Sequence, residues 1–116
     1  MAGQFWPALQ RELEIEMAAY CTAFMKFNDI NDIGFMQEYG AKSAELVAKH
    51  RGETLVFGRP EVVEGEMAHD DLLVIIKFPD AAAAKAFYSD PEYTPYKKIR
   101  LQNSKGSAAI VEQMPS

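Results

Sequence analysis

Cysteine occurs once in this sequence, as Cys21, which excludes an internal disulfide and a cysteine-rich zinc site and suits a reducing, cytoplasmic setting. Basic residues are also scarce, with 12 Lys and Arg against 17 Asp and Glu, for a net charge of −5. Nucleic acids and anionic membranes both call for basic patches, so neither is expected as the main partner. No apolar run approaches the length of a membrane span; the most apolar, Leu72 to Ile76, is far too short. The first sixteen residues hold neither a basic segment nor a continuous apolar core of signal-peptide length. Repeats and low-complexity tracts are missing too. Nor is there a GxGxxG, P-loop, HExxH or GxSxG pattern, so dinucleotide, nucleotide, zincin and hydrolase chemistry lack support. No cofactor and no metal are expected.

What remains is an ordinary globular composition, 48% apolar and 25% charged, over 116 residues. That length suits one domain with a real core. The chain is organised around Asp71 to Arg100. The β-branched run that opens this stretch reads as a strand, and Pro79 ends it because proline cannot donate a ladder hydrogen bond. Asp80 is placed to cap a helix, and Asp90 followed by Pro91 signals a second helix start. Upstream, Met17 to Phe27 reads as a strand with Tyr20, Thr22 and Phe24 on one face. Asn31 or Asp32 is expected to cap a helix on which Met36, Tyr39, Ser43, Leu46, Val47 and His50 form one stripe. Gly52 is expected to stop that helix. A second strand spans Glu53 to Phe57, is broken at Gly58 and Pro60 by a bulge or sharp bend, and resumes as extended structure over Glu61 to Gly65. Asn103 to Gly106 is expected to turn the chain into a last strand, Ser107 to Glu112.

The order strand, helix, strand, strand, helix, strand is that of the ferredoxin-like α+β sandwich, with helices on one face of an antiparallel four-stranded sheet. Residues 1–18 read as an N-terminal extension, and 19–114 as the domain. Trp6, Leu9 and Leu13 recur at helical spacing, so the extension is expected to be a short amphipathic helix or a lid. The third strand is apolar on both faces, with Leu72, Val74, Ile76 and Phe78 on one and Leu73 and Ile75 on the other. Helices cover only one side of such a sheet, and an exposed apolar sheet is an association site. A second copy packed face to face is the simplest cover, so a homodimer is expected.

The run Tyr20 to Phe27, His50-Arg51-Gly52, Leu55 to Gly58, Glu61 to Gly65, Ile75 to Pro79 and above all Ala86 to Tyr93 carry a family resemblance. Over roughly Ala19 to Gln113 the chain resembles the small bacterial domains of unknown function 1330, in the dimeric α/β-barrel superfamily. The resemblance implies a ferredoxin-like protomer and a dimer whose two sheets form a barrel, and it brings no established activity. The sequence departs from the family pattern at Arg51-Gly52-Glu53, at Phe57-Gly58-Arg59 and at His69-Asp70-Asp71. Glycines or basic residues are usual there, so an anion-binding role does not carry over from those positions.

Five residues stand out as site candidates. His50 ends the amphipathic stripe and is the first choice as acid/base or ligand anchor, since superfamily enzymes hold substrates between helix and sheet. The alternative is a histidine that steadies a helix end. Tyr20, Tyr39 and Tyr88 are candidate ligand contacts, because tyrosine buries its ring while its hydroxyl seeks a partner. Tyr93 and Tyr96 complete the tyrosine group, and core packing is the competing explanation for every member. Arg59, at the expected bend, could fork onto a carboxylate ligand or pair with a surface glutamate. Two functions follow. One is a binding module that takes a small apolar or aromatic molecule between sheet and helices. The other is a cofactor-independent oxygenase or isomerase of the dimeric α/β-barrel type, with His50 as acid/base.

Overall fold

The computed structural model describes residues 17–114. The sequence places strand β1 (Ala19–Phe27), helix α1 (Phe35–Lys49), strands β2 (Glu53–Gly58) and β3 (Leu72–Phe78), helices α2 (Ala81–Tyr88) and α3 (Thr94–Asn103), and strand β4 (Ser104–Glu112). The strands form one antiparallel sheet in the order β2-β3-β1-β4, with β1 and β3 at its centre. This is the ferredoxin-like α+β arrangement, its second helical element divided into two pieces. None of the helices among the described residues is long and apolar enough to cross a membrane. The amphipathic helix expected around Trp6 lies outside the described residues.

Alternation along the strands assigns the two faces of the sheet. Register places Cys21 between Ile76 and Ile110, and Ala23 between Val74 and Ala108. These side chains meet the helices, and the core is built there around Phe78, Phe87 and Leu46, all essentially without exposure. Full burial of such side chains contributes about 1.5–3 kcal/mol apiece. Tyr20, Thr22 and Phe24 point the other way, in register with Val111, Ile75 and Leu73. Both faces of β3 are therefore apolar, and the helices cover one of them.

The local signals fared unevenly. Asp80 caps α2 as expected, its Oδ1 accepting from the Ala83 N–H at 2.8 Å. For α1, neither Asn31 nor Asp32 is the cap. The helix starts behind Gly34 without a side-chain cap, and residues 29–32 form a turn ahead of it, with Asp29 Oδ1 accepting from the Asn31 N–H and Asp29 O from the Asp32 N–H. Gly52 does not take the left-handed position that ends α1; Arg51 does, at φ 62°. Gly52 N–H then bonds to Val47 O at 2.7 Å and Arg51 N–H to Ala48 O at 3.1 Å, the paired closure of a Schellman turn. Residue 52 is glycine for space, since a Cβ there would lie 2.7 Å from the Phe78 ring.

The second strand bulges at Thr54–Val56 rather than bending at Gly58, and Glu61 to Gly65 is not a strand. Pro91 does not open a helix. Asp90 Oδ1 accepts from the Glu92 N–H in a tight turn, and α3 begins at Thr94 with Pro95 in its first turn. At its far end α3 runs straight into β4 at Ser104, whose hydroxyl donates to Arg100 O. Gly106 therefore lies inside the strand, where a Cβ would collide with the Phe24 carbonyl.

Candidate functional site

Between the helices and the sheet lies a cavity of about 160 Å³. On α1 the residues facing it, Met36, Gly40, Ser43, Ala44 and Val47, recur every three or four positions, and most are small. Small side chains at that stripe are what leave the space open. From the sheet come Cys21, Ala23, Val74 and Ile76, and from α2 the rings of Phe87 and Tyr88. The wall is thus largely apolar and partly aromatic.

One end is polar. Tyr39 projects from α1, Tyr93 from the turn before α3, and Arg100 from α3 two turns further on, all three lining the cavity. The Tyr39 and Tyr93 hydroxyls are hydrogen-bonded to each other. Arg100 Nη1 donates to Tyr39 Oη at 3.0 Å and to Tyr93 Oη at 3.1 Å, and its guanidinium lies 5.7 Å from the Tyr39 ring centre. Arg100 and both tyrosines are buried, with 7%, 7% and 2% of their surface exposed. Burial pushes the Tyr93 hydroxyl well above the ordinary phenol range; Tyr39 adds to this and Arg100 opposes it without prevailing. Tyr93 is therefore a protonated donor at neutral pH. Burial disfavours the Arg100 charge, but Tyr39 and Tyr93 outweigh it, so its pKa lies above the ordinary value and the cation persists. Burial also raises the pKa of Cys21, against the pull of Arg100, and keeps that thiol protonated. It is a small buried hydrophobe rather than a nucleophile.

A second buried charge sits close by in sequence, outside the cavity wall. Asp90 Oδ2 accepts from His50 Nε2 at 2.7 Å and from Lys49 Nζ at 2.9 Å, while Oδ1 takes the Glu92 N–H at 2.9 Å. His50 first, then Lys49 and the Glu92 amide, hold the Asp90 carboxyl far below the usual carboxylate range. The cluster ties the end of α1 to the turn between α2 and α3.

Of the five residues singled out from sequence, the fold brings two together: Tyr39 and Tyr88 both line the cavity. His50 does not face it, contrary to the expectation from its stripe. It caps α1 at the point where the chain leaves helical geometry, which turns its ring toward Asp90 and edge-on to Phe87. Tyr20 lies on the opposite face of the sheet from the cavity, because its strand neighbours Ala19 and Cys21 face inward. Arg59 follows the end of β2, is 72% exposed in its side chain, and lies 3.8 Å from Asp71. Sequence reasoning passed over Arg100, the one cation at the cavity among the described residues. The available signal was an arginine seven residues after Tyr93, on the stripe that α3 turns inward. Among the described residues no group of three or more side chains is arranged to hold a metal ion.

Residues 18–114 match the family described as Domain of unknown function (DUF1330). No curated protein matches the sequence. Among solved structures, the fold is similar to a dimeric ferredoxin-like protein of unknown function from Jannaschia sp. CCS1, at TM-score 0.68 and 15% identity, over 82% of this chain and 98% of that one. It is similar as well to a protein of unknown function from Rhodopseudomonas palustris, at TM-score 0.64 and 15% identity, over 94% of each chain. A third is SnoaB, a cofactor-independent oxygenase from Streptomyces nogalater, at TM-score 0.57 and 11% identity, over 86% of this chain and 96% of that one. At such identities the likeness is one of fold.

Proposed function

The chain belongs to the DUF1330 family, and from that membership we propose that it is a homodimeric binding module that takes a small apolar or aromatic molecule into the cavity between its sheet and helices. The observation that carries this reading is the cavity itself. Its volume of about 160 Å³ is close to the roughly 150 Å³ of an apolar cavity that takes up benzene. Close packing is the rule in protein interiors, so a void of this size beside two hydroxyls and a guanidinium is a feature to be filled.

Two observations support the dimer. The outer face of the sheet presents Tyr20, Phe24, Leu73 and Ile75, with Val56 and Val111 beside them at 40% and 49% exposure. Relatives of the same fold are described as dimeric. A buried free cysteine supports a cytoplasmic setting. The second reading is a cofactor-independent oxygenase or isomerase with His50 as acid/base, and the fold shared with the Streptomyces oxygenase favours it. The absence of His50 from the cavity wall counts against it.

Filling the cavity tests the binding reading. A Cβ on Gly40 would have no atom within 4 Å, so Gly40→Leu has room and also improves helix propensity. Wild type should take up toluene saturably, and Gly40→Leu should not, while its Tm is no lower than that of wild type. Toluene uptake that survives the filling, or none by wild type, overturns the reading. Native mass spectrometry tests the assembly: two chains are expected, and a single chain of 13.0 kDa overturns the dimer.

A further inference from the structure

The polar end of the cavity has donors in excess. A guanidinium offers five N–H groups and the hydroxyls of Tyr39, Tyr93 and Tyr88 offer three more protons, whereas the acceptors on hand are the three phenolic oxygens. One hydroxyl proton is used between Tyr39 and Tyr93, and Arg100 Nη1 serves both oxygens. The side-chain partners of Arg100 are the hydroxyls of Tyr39, Tyr93 and Tyr88, and among the described residues no ion pair includes Arg100. The strongest influences on its charge are burial and the tyrosines Tyr39, Tyr93 and Tyr88. A buried cation without an anion is a costly arrangement, and buried charges are ordinarily paired. The unspent donors and the uncompensated charge both border the cavity.

We propose that the cavity binds an anionic oxygen ligand, a small carboxylate with a flat apolar body, whose carboxylate is held by Arg100 together with the Tyr39 and Tyr93 hydroxyls. This rests on the binding reading above and names its ligand class. The planar guanidinium matches a carboxylate fork, and each hydroxyl can turn its proton toward the incoming oxygen. Phe87, Val74 and Ile76 supply the apolar surface for the body, and the volume limits that body to about one ring.

Benzoate, benzamide and toluene separate charge from shape, and titration of each into the full-length wild-type protein at neutral pH tests the proposal. Benzoate should bind one per chain and displace toluene, with toluene and benzamide at least about 30-fold weaker, the loss expected when a buried charge partner is removed. In Arg100→Met, toluene binding should persist while benzoate binding falls by at least about 30-fold. Toluene binding with benzoate no tighter than benzamide would overturn the anion site and leave the binding module standing. Benzoate bound equally by Arg100→Met would also overturn it. If none of the three binds, the binding reading falls and takes this inference with it. The comparison among probes needs only wild-type protein, so it holds even if the variant fails to fold.

Discussion

Asp90 and Arg100 lie on either side of Tyr93 in the chain, both as buried charges, 5% and 7% exposed. Their surroundings differ completely. Asp90 has a cation on one oxygen, a histidine on the same oxygen and a backbone amide on the other, so its charge is answered within the chain. Arg100 has tyrosine hydroxyls, no carboxylate bonded to it among the described residues, and a cavity. The first arrangement holds α1, α2 and α3 together and has nothing left to offer a ligand. The second leaves donors and charge unspent where a small molecule can reach them. A satisfied buried charge reads as architecture, and an unsatisfied one facing a void reads as a site.

If that distinction is sound, the two charges should respond oppositely to removal. Asp90→Ala deletes the carboxylate from a buried network and leaves the Glu92 amide without its acceptor. Its Tm should fall by on the order of 10 °C, the largest effect of any substitution considered. Asp90→Asn, which keeps an acceptor for that amide, should fall less. The acid side of the stability curve tests the same point without a variant. The native Asp90 carboxyl binds its proton less readily than the unfolded chain's does. As the pH drops through about 4 the unfolded state therefore takes up the proton first, and stability declines. Above about pH 5 this contribution is fully present. Urea melts across that range should show the acid decline in wild type and a flatter profile in Asp90→Ala. Identical profiles would deny Asp90 its structural role.

Arg100→Met should behave in the opposite sense. Replacing a buried, unpaired charge by an apolar side chain of similar length is commonly neutral or stabilising. The expected Tm is between that of wild type and about 5 °C above it. A drop comparable to that of Asp90→Ala would show Arg100 to be a structural partner of the tyrosines, and the contrast between the two charges would collapse.

Much of this architecture was legible in the sequence, for physical reasons that can be named. The two-sided apolar run of β3, the Asp80 cap and the stripe of α1 are local signals, and the order of strands and helices follows from them. Errors gathered where two explanations share one residue type. Gly52 looked like a helix stop and is a spacer for Phe78, with Arg51 in the left-handed position. Gly106 looked like a turn and is a close approach inside β4. Asp90-Pro91 looked like a helix start and is a turn whose carboxylate reaches His50 and Lys49, some forty positions earlier. Two of the three residues at the cavity's polar end were legible as well, Tyr39 on the α1 stripe and Tyr93 in the tyrosine group. Arg100 was not, because a lone arginine on a polar helix reads as solvent-facing until the tertiary fold shows that side to be buried.

The smallest expected effect concerns the α1 wall of the cavity, and it sharpens the contrast from the side of the apolar lining. Gly40 lies in the interior of α1, where glycine costs roughly 0.5–1 kcal/mol relative to alanine. Its backbone is ordinary helix and a Cβ there would touch nothing within 4 Å, so neither conformation nor crowding requires glycine. Space does, if the position serves a ligand. Gly40→Ala should therefore raise stability by about 0.5–1 kcal/mol, read as a higher midpoint in urea melts with an unchanged slope. The same methyl group should weaken toluene uptake, and the neighbouring Ala44→Gly should not raise stability in return. A stabilised variant with unimpaired uptake would mean that residue 40 is glycine for no reason connected with the cavity. A gain in stability bought with a loss of uptake would mark the α1 wall as shaped for its occupant, as the unpaired guanidinium opposite it is.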